Sequence, residues 1–268
     1  MQNNMKQTRK KIAAFRPENV LKRSKEKADR YGFDFFGFPL FELVERKEAL
    51  EEIESVFEEG VDITVFTSLN GVKKSFSICE GKFDLKKAFL DANVAICAIG
   101  PATKAELEKK GLKVNIMPAE YSSEGLKRLF DTTEVKNTRI AFLRSSEGGK
   151  GIIKFLEAKG AFVTDIAIYG VRKMGLAECK DLFFELVRYK PDYVIFTSSL
   201  TFRIFLELAK DLNIAEKVFE NTKIVAIGNL TAETITEEGT KVDLVAEKST
   251  FEDLLKELRG RFLTVEFV

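Results

Sequence analysis

Short apolar runs alternate with longer amphipathic stretches along most of the chain, and many of the runs stop at a glycine or a hydroxyl residue. The clearest is Ile224-Val225-Ala226-Ile227-Gly228-Asn229-Leu230-Thr231. It predicts a buried strand, a sharp glycine turn and a threonine at or near a helix start. Such a junction leaves backbone N–H groups pointing at one place, which favours an anion. The same pattern occurs at Val94-Ala95-Ile96-Cys97-Ala98-Ile99-Gly100-Pro101-Ala102-Thr103, with Gly100 and Thr103 each 128 residues before Gly228 and Thr231. Duplication predicts two facing crescents of donors around one polyanionic ligand.

The repeat extends well beyond this motif. Ile12-Ala13-Ala14-Phe15-Arg16 and Ile140-Ala141-Phe142-Leu143-Arg144 read as equivalent strands ending in arginine. In the first copy, Pro17 opens a helix reaching Tyr31 that Gly32 ends; in the second, a helix carrying Ile152, Phe155 and Leu156 stops at Gly160. Two extended runs follow, from Phe33 to Leu43 and from Ala161 to Val171, too regular for loops and suited to connections between domains. Charged helical segments come next, Glu45 to Glu59 and Ala177 to Arg188. Asp62 to Ser68 and Asp192 to Ser198 are then buried strands, each ending in Thr-Ser before a further helix. Beyond the glycine motifs, helices end at Gly111 and Gly239, and strands are expected at Lys113 to Met117 and Lys241 to Val245. Ser122 and Thr250 cap the final helix of each copy, with Glu124 and Glu252 at the positive end of its dipole. Phe262 to Val268 is read as a possible edge strand. Strands alternating with helices indicate an α/β protein with parallel sheets.

Composition narrows the chemistry. The chain has 268 residues, enough for two domains, with 45% hydrophobic and 32% charged residues, as in a globular protein. A net charge of +1 argues against general nucleic-acid binding. No run is long enough for a membrane span, and the basic segment Met1 to Lys11 reads as a frayed tail rather than a signal peptide, so a cytoplasmic protein is expected. Histidine is absent, which removes the usual general base and the commonest zinc ligand. Cys79, Cys97 and Cys179 lack metal spacing and read as buried thiols.

Thr-Ser after a strand, Ile-Gly-x-x-Thr before a helix, a closing glycine and hydroxyl-x-Glu at the last helix, all in order and duplicated, resemble the uroporphyrinogen-III synthase family across residues 12 to 258. Leu69 and Ser199 stand where the family often has proline. The resemblance implies two parallel-sheet α/β domains joined by a two-stranded β-ladder: residues 1–37 with 174–268, residues 46–164, and a ladder at 38–45 and 165–173. The repeat alone would suggest two contiguous halves. The implied activity is closure of the linear tetrapyrrole hydroxymethylbilane to uroporphyrinogen III, with loss of water and inversion of ring D. No cofactor and no metal are implied; the expected form is a monomer, supplied by hydroxymethylbilane synthase.

Candidate substrate-binding residues are Arg16, Thr67, Ser68, Gly100, Thr103, Arg144, Thr197, Ser198, Gly228, Asn229 and Thr231. Tyr169 matches a tyrosine that the family places at its cleft, and is the candidate proton donor to the departing hydroxyl. Lys73, Lys104 and Arg203, just inside the helices, are weaker candidates for steering carboxylates. Each residue also has a structural use: the hydroxyls as helix caps, Tyr169 as a packed ladder residue, the cations as solvated surface. Two other functions stay open: a non-catalytic two-domain binder of an anionic small molecule, and a regulatory module that keeps the fold without the activity.

Overall fold

The computed structural model describes residues 9–265. The elements run β1 (Lys10–Ala14), α1 (Glu18–Arg30), β2 (Phe33–Phe36), β3 (Phe41–Glu45), α2 (Ala49–Glu59), β4 (Ile63–Phe66), α3 (Leu69–Cys79), α4 (Leu85–Asp91), β5 (Ala95–Ala98), α5 (Pro101–Lys109) and α6 (Ser123–Asp131). They continue β6 (Arg139–Ser145), α7 (Gly151–Ala158), β7 (Phe162–Lys173), α8 (Leu176–Tyr189), β8 (Tyr193–Phe196), α9 (Ser199–Asp211), α10 (Ala215–Phe219), β9 (Lys223–Ala226), α11 (Asn229–Glu237), β10 (Leu244–Val245) and α12 (Phe251–Val265).

Two compact units result: Met1–Glu42 with Lys173–Val268, and Leu43–Arg172. The first holds a sheet in the order β10-β9-β8-β1-β2, all parallel. The second sheet has the order β3-β7-β6-β4-β5, parallel from β7 to β5. Backbone bonds from Met174 N–H to Leu40 C=O (2.9 Å) and from Arg46 N–H to Ile168 C=O (3.0 Å) make β3 and β7 an antiparallel two-stranded ladder. Each sheet therefore draws strands from both copies of the repeat.

The central strands are buried on both faces, so their alternate residues feed two cores. In β8, Val194 and Phe196 enter one core, while Tyr193 and Ile195 enter the other. In β6, Ala141 and Leu143 face one core, Ile140 and Phe142 the other. Phe15 is packed by Phe38 at 5.1 Å and Phe205 at 4.7 Å between ring centroids. Gly32 and Gly160 follow α1 and α7 with φ of 82° and 83°, where a side chain would be strained.

Several expectations need correction. The extended run at 33–43 is two strands, β2 in the first sheet and β3 in the ladder, whereas its counterpart is the continuous β7. Gly37 marks the break: a Cβ there would lie 2.6 Å from the Ala14 carbonyl oxygen. Glu45 belongs to β3, and the following helix starts only at Ala49. Residues 113–117 form a single bridge, Cys97 to Ile116, rather than a strand. At the equivalent place in the other unit Ala246 N–H donates to Ala226 C=O (3.0 Å), a bond Pro118 cannot make. The short helices α4 and α10 lay outside the periodic pattern. Residues 262–265 are helical, ending α12, and 266–268 lie outside the described residues. Of the expected basic tail, residues 1–8 also lie outside them, while Lys10 and Lys11 are in β1.

Candidate functional site

At the carboxyl ends of both sheets the chain uses two kinds of strand-to-helix junction. In the first kind the serine of Thr-Ser is consumed as a cap. Ser68 Oγ accepts from Gly71 N–H (3.0 Å) at the start of α3, and Ser198 Oγ accepts from Thr201 N–H (3.1 Å) at the start of α9. Ser198 is further tied to Thr201 Oγ1 at 2.7 Å. Thr67 and Thr197 precede these caps, half-buried.

The second kind is left open. Gly100 and Gly228 are the N-cap residues of α5 and α11, and neither helix has a side-chain cap. The first intrahelical donors are Lys104 to Gly100 (3.0 Å) and Ala232 to Gly228 (3.0 Å). Upstream, the N–H groups of Ala102 and Thr103, and of Asn229, Leu230 and Thr231, have no partner among the described residues. Pro101 contributes none. The positive end of each helix dipole adds to the pull on an anion. Thr103 and Thr231 are not the caps the sequence suggested. They sit in the first turn with only 3% and 5% of their surface exposed.

The loop before the last helix covers the glycine in each unit. A Cβ on Gly100 would meet Tyr121 Cγ at 3.1 Å, and one on Gly228 would meet Ser249 Oγ at 2.9 Å. Tyr121 and Leu230 are large apolar side chains left exposed at these junctions. Ser199 Oγ donates to Leu230 C=O (3.2 Å) and accepts from Thr234 Oγ1 (2.8 Å), tying α9 to α11. Motif reading missed Tyr121, Ser199 and Leu230, although Tyr121 and Ser249 share the spacing of the repeat.

Tyr169 is almost buried on β7, just past a register shift at Arg144 and Ser145. Its hydroxyl shares a hydrogen bond with Ser68 Oγ at 3.2 Å. The structure thus joins two residues that lie 101 positions apart.

The two strand-end arginines differ. Arg144 is buried and held by a carboxylate of its own unit: Nε to Asp165 Oδ1 at 2.6 Å and Nη2 to Oδ2 at 2.8 Å, with Nη1 on Gly149 C=O at 2.9 Å. Lys150 also bonds Asp165. Arg16 instead lies over the Phe251 ring at 4.9 Å. Its Nε is buried without a hydrogen-bond partner. Lys104 and Arg203 make long ion pairs with Glu108 and Glu238, at 3.8 and 3.9 Å. Lys73 lines a surface pocket of about 850 Å³ with Lys82, Lys86 and Lys110.

The three thiols are buried and unpaired, as expected. Burial pushes Cys97 up to about 12, and burial with Glu54 nearby pushes Cys79 up to about 11. Among the described residues no group of three or more Cys, Asp and Glu side chains could hold a metal ion, and no helix is long and apolar enough to cross a membrane.

Two α/β units with largely parallel sheets, each with a helix start that no side chain caps at equivalent repeat positions, define the class as a duplicated α/β protein. Comparison with known proteins makes the class particular. The family model described as Uroporphyrinogen-III synthase HemD matches residues 22–256, and the chain belongs to the uroporphyrinogen-III synthase family. A Methanothermobacter thermautotrophicus protein provisionally named uroporphyrinogen-III synthase is 30% identical over 82% of this chain and 86% of its own. The uroporphyrinogen-III synthase of Chlorobaculum parvum is 26% identical over 57% and 60%. Among solved structures, a mutant uroporphyrinogen III synthase from the extremely thermophilic bacterium Thermus thermophilus superposes with a TM-score of 0.69 at 20% identity, covering 95% of this chain and 99% of that one. The Helicobacter pylori enzyme gives 0.62 at 19%, covering 94% and 99%. These likenesses establish the fold.

Proposed function

We propose that this protein is a lyase that closes hydroxymethylbilane to uroporphyrinogen III, expelling water and inverting ring D. The observation that carries the reading is the pair of glycine-capped helix starts, α5 and α11, whose first-turn N–H groups no side chain takes. Carboxylates of a flexible tetrapyrrole are suited to those donors, and the exposed faces of Tyr121 and Leu230 to its pyrrole rings.

The electron-rich pyrroles supply the push that expels the hydroxyl, giving an azafulvene and then a spirocyclic pyrrolenine. The protein's part is orientation and a proton. In this reading Tyr169 donates its phenolic proton to the hydroxyl as it leaves as water, and Ser68 holds the phenol in place. Gly100 and Gly228 leave the helix starts uncapped, and Ala102, Thr103, Asn229, Leu230 and Thr231 present the N–H donors. Thr67, Thr197 and Ser198 shape the neighbouring strand ends. The same reading takes residues 38–45 and 165–173 as an inter-domain ladder, with domains at 1–37 with 174–268 and at 46–164. It takes the protein as a cytoplasmic monomer that receives substrate from hydroxymethylbilane synthase.

The test is a coupled assay in which hydroxymethylbilane is generated in place by its synthase, this protein is added, and the oxidised products are separated. Isomer III in excess of the spontaneous isomer I is the expected outcome. Isomer I alone, with the protein shown to be folded, refutes the reading. Tight binding of a polycarboxylate without turnover then favours a non-catalytic binder.

A further inference from the structure

The repeat gives two equivalent arginines, and the fold treats them in opposite ways. Asp165, opposite Phe142 in the β6–β7 register, reaches across to bind Arg144. The equivalent of Asp165 in the first unit is Gly37, 128 residues earlier. No carboxylate fits there, because even a Cβ on Gly37 would lie 2.6 Å from the Ala14 carbonyl oxygen and 2.7 Å from the Phe35 ring.

Arg16 therefore has a guanidinium whose only described contact is the ring of Phe251, at 4.9 Å. None of its nitrogens has an acceptor among the described residues, and Nε is shut away from water. Burial pulls its proton affinity down with no neighbouring carboxylate to oppose the shift. A partly buried cation without an anion costs stability, and such costs persist where function uses them. The position suits a ligand. Arg16 lies two residues beyond the end of β1, which neighbours β8, while β9 is next along the same sheet. The carboxyl ends of those strands carry Thr197, Ser198 and the open start of α11. Ligands of parallel sheets bind along this edge.

We infer that the repeat has divided its arginines: Arg144 is a structural strut, and Arg16 is the guanidinium of the first unit that takes a carboxylate of the ligand. A planar fork with several unused donors matches a carboxylate, with Phe251 backing the plane. The inference deepens the synthase reading and rests on it for the identity of the ligand as a pyrrole polycarboxylate.

Arg16→Gln and Arg144→Gln in the full chain separate the two roles. Arg16→Gln is expected to keep or raise Tm while raising KM for hydroxymethylbilane about tenfold or more, the fold-change of a lost charge-assisted hydrogen bond, with kcat moved less. Arg16→Lys is expected to recover part of the loss, and Arg144→Gln to lower Tm. A KM for Arg16→Gln within about twofold of wild type overturns the inference, since it lies well below the loss of a charged hydrogen bond. A fall in Tm matching that of Arg144→Gln overturns it whatever KM does. If the wild type forms no isomer III, the synthase reading has failed and the arginine is tested by quenching of uroporphyrin III fluorescence. Weakening by Arg16→Gln of about fivefold or more then sustains the carboxylate contact. Equal binding by the variant, or none by the wild type, refutes it.

Discussion

Replacing Asp165 by asparagine tests the best-defined polar contact in the second unit. The change keeps the shape of the side chain and removes its charge. Arg144, with 5% of its side chain exposed, would stay in place with its two short bonds weakened and no anion beside it; Asp165 itself is 13% exposed. Breaking a buried pair from one side costs about 3–5 kcal/mol. The asparagine oxygen still accepts one bond, and Gly149 C=O still holds Nη1, so a loss of about 2–4 kcal/mol is expected. For a unit of this size the loss corresponds to a fall of roughly 10 °C in its melting temperature. Calorimetry at neutral pH, supported by urea titration, reads both quantities. The double variant Arg144→Met with Asp165→Leu should regain most of the loss, because it removes the buried charges together. The pH dependence carries its own sign. Burial pushes the Asp165 carboxyl up, but hydrogen bonds from Arg144 and Lys150 outweigh it and hold the group below its ordinary 3.8. Its contribution is therefore present above that value and disappears as pH falls through the lower folded-state value. The gap between wild type and Asp165→Asn should be flat through neutrality and close on the acid side. A loss below about 1 kcal/mol, or a double variant no better than the single one, would refute the assignment of Arg144 as a buried strut.

Other expectations follow from single side chains. Thr64 is fully buried in β4 and its hydroxyl has no partner, so Thr64→Val should stabilise the protein by about 1 kcal/mol in urea titration. Ser198→Ala should cost about 1 kcal/mol through loss of the α9 cap. Ser68→Ala should cost a similar amount and should also lower turnover, since it releases the Tyr169 hydroxyl. Tyr169→Phe should lower kcat at least several-fold, and by about a hundredfold or more if the full contribution of a general acid is lost, while leaving Tm nearly unchanged; unchanged turnover in the isomer assay removes it from the chemistry. Native Cys97, with its thiol pushed up to about 12, should resist alkylation at pH 8 until the protein is unfolded.

Much of the architecture could be read before any coordinates. The apolar runs at Ile63–Phe66 and Tyr193–Phe196 are central strands, and Gly32 and Gly160 end helices, because buried parallel strands and left-handed turns leave strong local marks. Ser122 and Thr250 cap α6 and α12, as their motifs indicated. Short-range reasoning failed where one atom decided the outcome. Thr103 and Thr231 look like caps, but glycine occupies the cap position and both threonines sit inside the first turn, largely buried. Residues 113–117 carry a strand pattern, but the missing N–H of Pro118 leaves one bridge. Gly37 divides a continuous-looking run.

The sequence alone determined that this chain is duplicated, α/β and rich in helix starts, since periodicity, glycines and hydroxyls act within a few residues of themselves. It also placed Arg16 and Arg144 at equivalent strand ends. Tertiary structure decided which halves pair. A repeat constrains the form of each copy, but strands choose partners by burial across the sheet, and β1 lies beside β8 while β6 lies beside β4. It decided as well that Ser68 meets Tyr169, and that one arginine finds Asp165 while its repeat mate finds only Phe251. Those contacts join residues distant along the chain, where no local spacing can signal them.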